Sequence, residues 1–143
     1  MIEDVDFGGP MAAALAHYSF PAEHAPLVER VYRAADAVLS AAGADASHGT
    51  RLLAGLQAAG LEHVGGELHT PVVAGGTESW VRGSIQQLAA RMEGTGLVDP
   101  DDVARFLALV ADGSSRYAPP FLVSAWGQRP PAFRRRSRRL PGA

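Results

Sequence analysis

Between residues 24 and 42 apolar side chains recur at Leu27, Val28, Val31, Tyr32, Ala35, Val38, Leu39 and Ala42. Spacing of i, i+3, i+4 and i+7 lays them along one stripe of a helix, so this segment predicts an amphipathic helix with one face in a core. Gly43 follows, a residue able to take the left-handed backbone that closes a helix. The densest other apolar run is Phe121-Leu122-Val123-Ser124-Ala125-Trp126. It reads as a strand ended by Gly127 and Pro130-Pro131. Two different periods in one short chain predict a mixed α/β class.

Further elements fit around these two. Residues 2–7 read as a short strand through Ile2 and Val5, ended by Gly8-Gly9-Pro10, although Glu3, Asp4 and Asp6 are poor strand formers. The Ala-rich stretch 10–18 predicts a short helix. Ser47 is placed to cap a helix running to Ala59, with Leu52, Leu53 and Leu56 inward and Gly60 as its stop. A strand is expected within 61–74 on Val64, Leu68, Val72 and Val73. Thr77 would cap a helix carrying Trp80, Val81, Ile85, Leu88 and Met92. The clearest local signal is Asp99-Pro100-Asp101-Asp102. It offers a capping carboxylate, a proline at the first helical position and two acids at the positive helix end. Val103, Phe106, Leu107 and Val110 form that helix's apolar face.

Composition narrows the chemistry. The 143 residues suit a single domain, and at that size a chain buries about 68–70% of its unfolded surface. There is no cysteine, which excludes disulfides, thiolate metal sites and cysteine nucleophiles. No apolar run approaches the ~20 residues of a membrane span, and the acidic start is unlike a signal peptide, so a cytoplasmic location is expected and a membrane partner is not. Net charge is −2, but five of the thirteen arginines lie in 134–139. Residues 1–133 therefore carry eight arginines against fifteen acids, which is not the basic face of a nucleic-acid binder. The Arg-rich segment 132–143 has no apolar period and reads as a disordered, solvated tail.

Several strings, read in order, are similar to the C-terminal portion of small-molecule class I S-adenosylmethionine-dependent methyltransferases. Glu3-Asp4-Val5-Asp6-Phe7 resembles the acidic end of that family's fifth strand. Gly49-Thr50-Arg51-Leu52, then Leu56-Gln57-Ala58-Ala59-Gly60-Leu61-Glu62-His63-Val64, resembles its next helix, turn and strand. Residues 92–102 resemble the lead into an inserted helix. Pro120-Phe121-Leu122-Val123-Ser124-Ala125-Trp126-Gly127-Gln128-Arg129-Pro130 resembles the final strand and its "WGRRP" ending, with Gln128 where arginine is usual.

The resemblance covers residues 1–131. It implies part of a Rossmann-like fold: three strands with about five helices, the last strand lying between the first two and antiparallel to both. It also implies S-adenosylmethionine as cofactor and a small-molecule acceptor as partner. The family's glycine-rich turn and ribose-binding acid have no counterpart here, since Gly8-Gly9, Gly65-Gly66 and Gly75-Gly76 lack the G-x-G spacing. The cofactor-binding half is therefore expected to be absent, and the chain to be inactive without it. Its partner would be that missing half or a second copy, since open strand edges and uncovered apolar surface recruit other chains. The alternative is a non-catalytic remnant or a small interaction module.

Candidate site residues follow from position. Asp6 and Phe7 fall near the carboxyl end of the first strand, where open α/β sheets place ligands, or at a merely solvated strand end. His17, Tyr18 and His24 fall in the segment that caps the active site of the similar enzymes. Either histidine could take a proton from an acceptor hydroxyl, or be an ordinary surface or half-buried residue. Trp80 is placed to line a substrate pocket or to join the core. Arg51 reads as an acid-binding or an exposed residue. Glu67 and His69 share one strand face but lack a third ligand at metal-binding spacing. Trp126, ending the central strand, is expected to be buried.

Overall fold

The computed structural model describes residues 1–19, 21–76 and 79–131. The Arg-rich tail and the cap read at Thr77 lie outside the described residues. Among the described residues, five α-helices and two small antiparallel sheets make a mixed α/β fold. Strand β1 (Ile2–Asp6) leads into α1 (Pro10–Ala16), a 3-10 turn (Ala22–His24) and α2 (Ala25–Ala41). Helix α3 (His48–Ala58) and strand β2 (Glu62–His69) follow, then β3 (Val73–Ala74), α4 (Trp80–Glu93) and α5 (Pro100–Ala111). Strands β4 (Arg116–Tyr117) and β5 (Phe121–Gln128) end the fold.

The main sheet has the order β1-β5-β2, with β5 antiparallel to both neighbours, as expected. A second ladder, β3 with β4, was not expected. Two-residue strands are too short to leave a period in the sequence.

Alternation along a strand sends successive side chains to opposite faces. On one face Val123 and Ala125 of β5 meet Leu52 of α3, with Leu53 and Leu56 packed alongside. Trp126 falls on the other face, away from α3, where its ring lies over Gly65 and stays 41% exposed. The expected burial of Trp126 is thus corrected by register. Leu68 in β2, and Val72 beyond its end, both read as apolar strand positions, are also exposed.

Most of the core lies among the helices, with α2 at the centre of α1, α4 and α5. Its predicted stripe is buried from Leu27 to Val38, and Gly43 takes a left-handed backbone. Tyr32 is the hub. Its ring meets Phe106 edge-on at 6.0 Å and Phe7 at 6.2 Å, and its hydroxyl donates to the Ala118 carbonyl at 3.0 Å. Burial pushes the Tyr32 phenol far above its ordinary pKa. No described helix is long and apolar enough to cross a membrane.

The cap read at Asp99 is present: its Oδ1 accepts the Asp102 N–H at 2.7 Å. Asp102 in turn accepts two bonds from the Arg30 guanidinium, at 2.6 and 3.3 Å, tying α2 to α5. That hydrogen bonding, reinforced by the charges of Arg30 and Arg105, holds the Asp102 carboxyl below its usual pKa. A depressed folded pKa means the pair's contribution is complete above the unfolded value of about 4 and is lost as pH falls through the lower folded value. Asp102→Asn should therefore lose less melting temperature than wild type between about pH 5 and pH 2. Identical acid limbs in circular dichroism melts would show that the pair contributes nothing.

Candidate functional site

At the end of β1 the chain sends Asp6 and Phe7 to opposite sides. Asp6 turns beneath α3 and is completely buried. Its Oδ2 accepts the Thr50 N–H at 2.8 Å, while Ser47, at the predicted cap position, makes no side-chain cap bond. Free N–H groups at a helix start need an acceptor, and here β1 supplies it. Gly49 permits this, since a Cβ there would meet Asp6 Cβ at 3.1 Å and Val123 Cγ2 at 3.0 Å. Asp6 is therefore a helix-capping group with no surface open to a ligand.

Phe7 turns toward α2 and borders a cleft of about 270 Å³ between α2 and α4. Helix α2 contributes Tyr32, Ala35 and Leu39, spaced i, i+3 and i+7 along one face. Pro120 closes the end nearest β5. Helix α4 contributes two neighbouring rows: Val81, Ile85 and Leu88 form the floor, and Trp80, Ser84 and Gln87 form the rim. Val81 and Ile85 are buried, whereas Trp80 is 55% exposed.

Trp80 is held at the first turn of α4. The cap is Ser79, whose Oγ accepts the Arg82 N–H and shares a short hydrogen bond with the Tyr117 hydroxyl. On its other side Trp80 borders a shallower depression with Pro71, Val73, Tyr117 and Pro119.

Of the residues singled out from the sequence, Phe7 and Trp80 come together at this cleft. Tyr18 and His17 are exposed at the end of α1, and half-buried His24 ends the 3-10 turn; none of the three lines the cleft. Arg51 is exposed and forms an ion pair with Asp45. Glu67 and His69 are exposed on β2, and no group of three potential metal ligands occurs among the described residues.

Ser84 and Gln87 escaped the sequence reading. The only signal is their i+4 and i+7 spacing from Trp80, which any solvated helix face can show. The cleft can bind and orient an apolar body, but among the described residues Tyr32 is the only titratable group in its wall, and that hydroxyl is bonded to Ala118.

S-adenosylmethionine does not fit the described residues. A cradle for its polar groups needs glycines that leave room for ligand and free backbone N–H groups. The space a Cβ would take is filled at Gly8 by Ser47, at Gly65 by the Trp126 ring, at Gly66 by Leu53, and at Gly75 by the Asp112 carbonyl. Gly9 and Gly76 are more open, but their N–H groups donate to Asp36 and Val110. Each glycine pair is thus used in packing or internal hydrogen bonding.

No family model, no curated protein and no solved structure matches the chain.

Proposed function

We propose that the chain is the acceptor-binding side of a class I S-adenosylmethionine-dependent methyltransferase of the small-molecule type. Its cofactor-binding part would be supplied by polypeptide outside these residues. The observation that carries the reading is that β5 lies between β1 and β2 while Phe7, just past the carboxyl end of β1, lines the cleft with Trp80. Open α/β sheets bind ligands at such strand ends. When bound, the cofactor supplies the methyl group. This chain's own residues would hold the acceptor against Phe7, Trp80 and Leu88 and keep water away from it, and positioning is the main requirement of such a transfer.

The glycine packing yields a prediction: calorimetry of the purified chain with S-adenosylmethionine alone should give no saturable heat. Micromolar affinity would place a cofactor site where none is read. The transfer itself is tested by co-expressing the chain with a cofactor-binding segment encoded next to it. Expected are a co-purifying complex and movement of a labelled methyl group to a small acceptor only when both parts are present. Transfer that proceeds without this chain contradicts the proposal. That no acid or base among the described residues stands free in the cleft wall favours a second reading, a non-catalytic binding module. That reading keeps the cleft ligand and predicts no transfer from the complex.

A further inference from the structure

Among the described residues, the wall of the α2–α4 cleft holds no Asp, Glu, Arg or His, although the chain has 15 acids, 13 arginines and 5 histidines. Its apolar body is Phe7, Leu39, Val81, Ile85 and Leu88 beside Tyr32. The Tyr32 hydroxyl cannot offer a new donor without giving up Ala118. Polar contact is left to the rim, where Ser84 and Gln87 are exposed and uncharged. A charged group entering such a wall loses its water without gaining a partner, which costs far more than burying a neutral polar group. The volume, about 270 Å³, lies just below the roughly 300–1,000 Å³ of drug-sized ligand pockets.

We infer that the ligand of this cleft is an uncharged, flat, fragment-sized molecule of about two fused rings. It packs against Trp80 and Phe7 and turns one hydroxyl or carbonyl edge to Ser84 and Gln87. This deepens the acceptor-site reading and rests on it. Aromatic walls favour a flat ligand, since rings pack offset or edge-on at little entropic cost. Carboxylates, phosphates and ammonium compounds are disfavoured by desolvation alone. Anions meet the acidic body as well, so a cation is needed to separate the two effects.

The test is calorimetry of the full chain with three probes of one shape: neutral 2-naphthol, anionic 2-naphthoate and the protonated form of 2-naphthylmethylamine. Expected is one-to-one binding of 2-naphthol, with both ions weaker by about tenfold or more at physiological salt. Gln87→Ala, at an exposed position that spares the fold, should weaken 2-naphthol by about two- to tenfold and leave naphthalene unchanged. Either ion binding as tightly as 2-naphthol overturns the inference while leaving the acceptor site in place. An unchanged 2-naphthol affinity in Gln87→Ala removes the polar-edge assignment. No binding by any probe overturns the acceptor-site reading itself, a result distinct from failure of methyl transfer in the complex.

Discussion

Phe106→Ala should lower the free energy of unfolding by about 3–5 kcal/mol, the usual cost of removing a buried aromatic ring. Phe106 is fully buried on α5 and packs edge-on against Tyr32 of α2. Its loss opens a void at the point where α2, α5 and the Phe7 end of β1 meet. Small domains hold about 5–15 kcal/mol in total, so the variant should melt far earlier or fail to fold. Trp126→Ala is the contrasting variant. That ring is 41% exposed over Gly65, so less surface returns to water and the cost should be clearly smaller. Denaturant melts of the two variants decide the matter. A larger loss in Trp126→Ala would mean that the sheet, and not the helical layer, holds the main core.

Gly75→Ala should destabilise by about 1–3 kcal/mol through overpacking. A Cβ at Gly75 would lie 2.2 Å from the Asp112 carbonyl oxygen and 2.8 Å from Ser115 Oγ. The obstacle is backbone, so no rotamer change relieves it. The Gly75 N–H also donates to the Ser115 carbonyl at 3.2 Å, and the Gly76 N–H to Val110 at 2.8 Å. Separating these segments would loosen β3 and β4 together. Gly113→Ala, with nothing within 4 Å of the new Cβ, should change stability little. Equal stabilities for the two variants would show that the close approach at Gly75 carries no energetic weight.

Features set by neighbours in sequence were legible. The α2 stripe, the Asp99 cap and the glycine stops at Gly43 and Gly60 all follow from residues within a few positions, and the structure places them as read. The order β1-β5-β2 came from the resemblance, because no local pattern encodes which strand lies in the middle. Features set across long separations were missed. Ser47 has the right chemistry for a cap, yet Asp6, 44 residues away, takes the Thr50 N–H. Trp126 belongs to a strand whose alternate residues are buried, and one step of register sends it to the face away from α3. In the cleft, Phe7 was legible from its place at the carboxyl end of the first strand, and Trp80 as a ring that would line a pocket or join the core. Ser84 and Gln87 were not, since their role depends on α2 lying opposite. His17, Tyr18 and His24 were singled out by position along the chain, which says nothing about which way α1 and the 3-10 turn face.

The two tryptophans offer the most direct measurement of the central claim. The claim is that the α2–α4 cleft, and not the open face of the sheet, receives the acceptor. Trp80 borders the cleft, and Trp126 lies on the sheet face away from α3. Their indole N–H groups give two separate resonances in a proton–nitrogen correlation spectrum, assigned by Trp126→Phe. On titration with 2-naphthol the Trp80 resonance should move and saturate while Trp126 stays in place. Movement of Trp126 with Trp80 unperturbed would contradict the account.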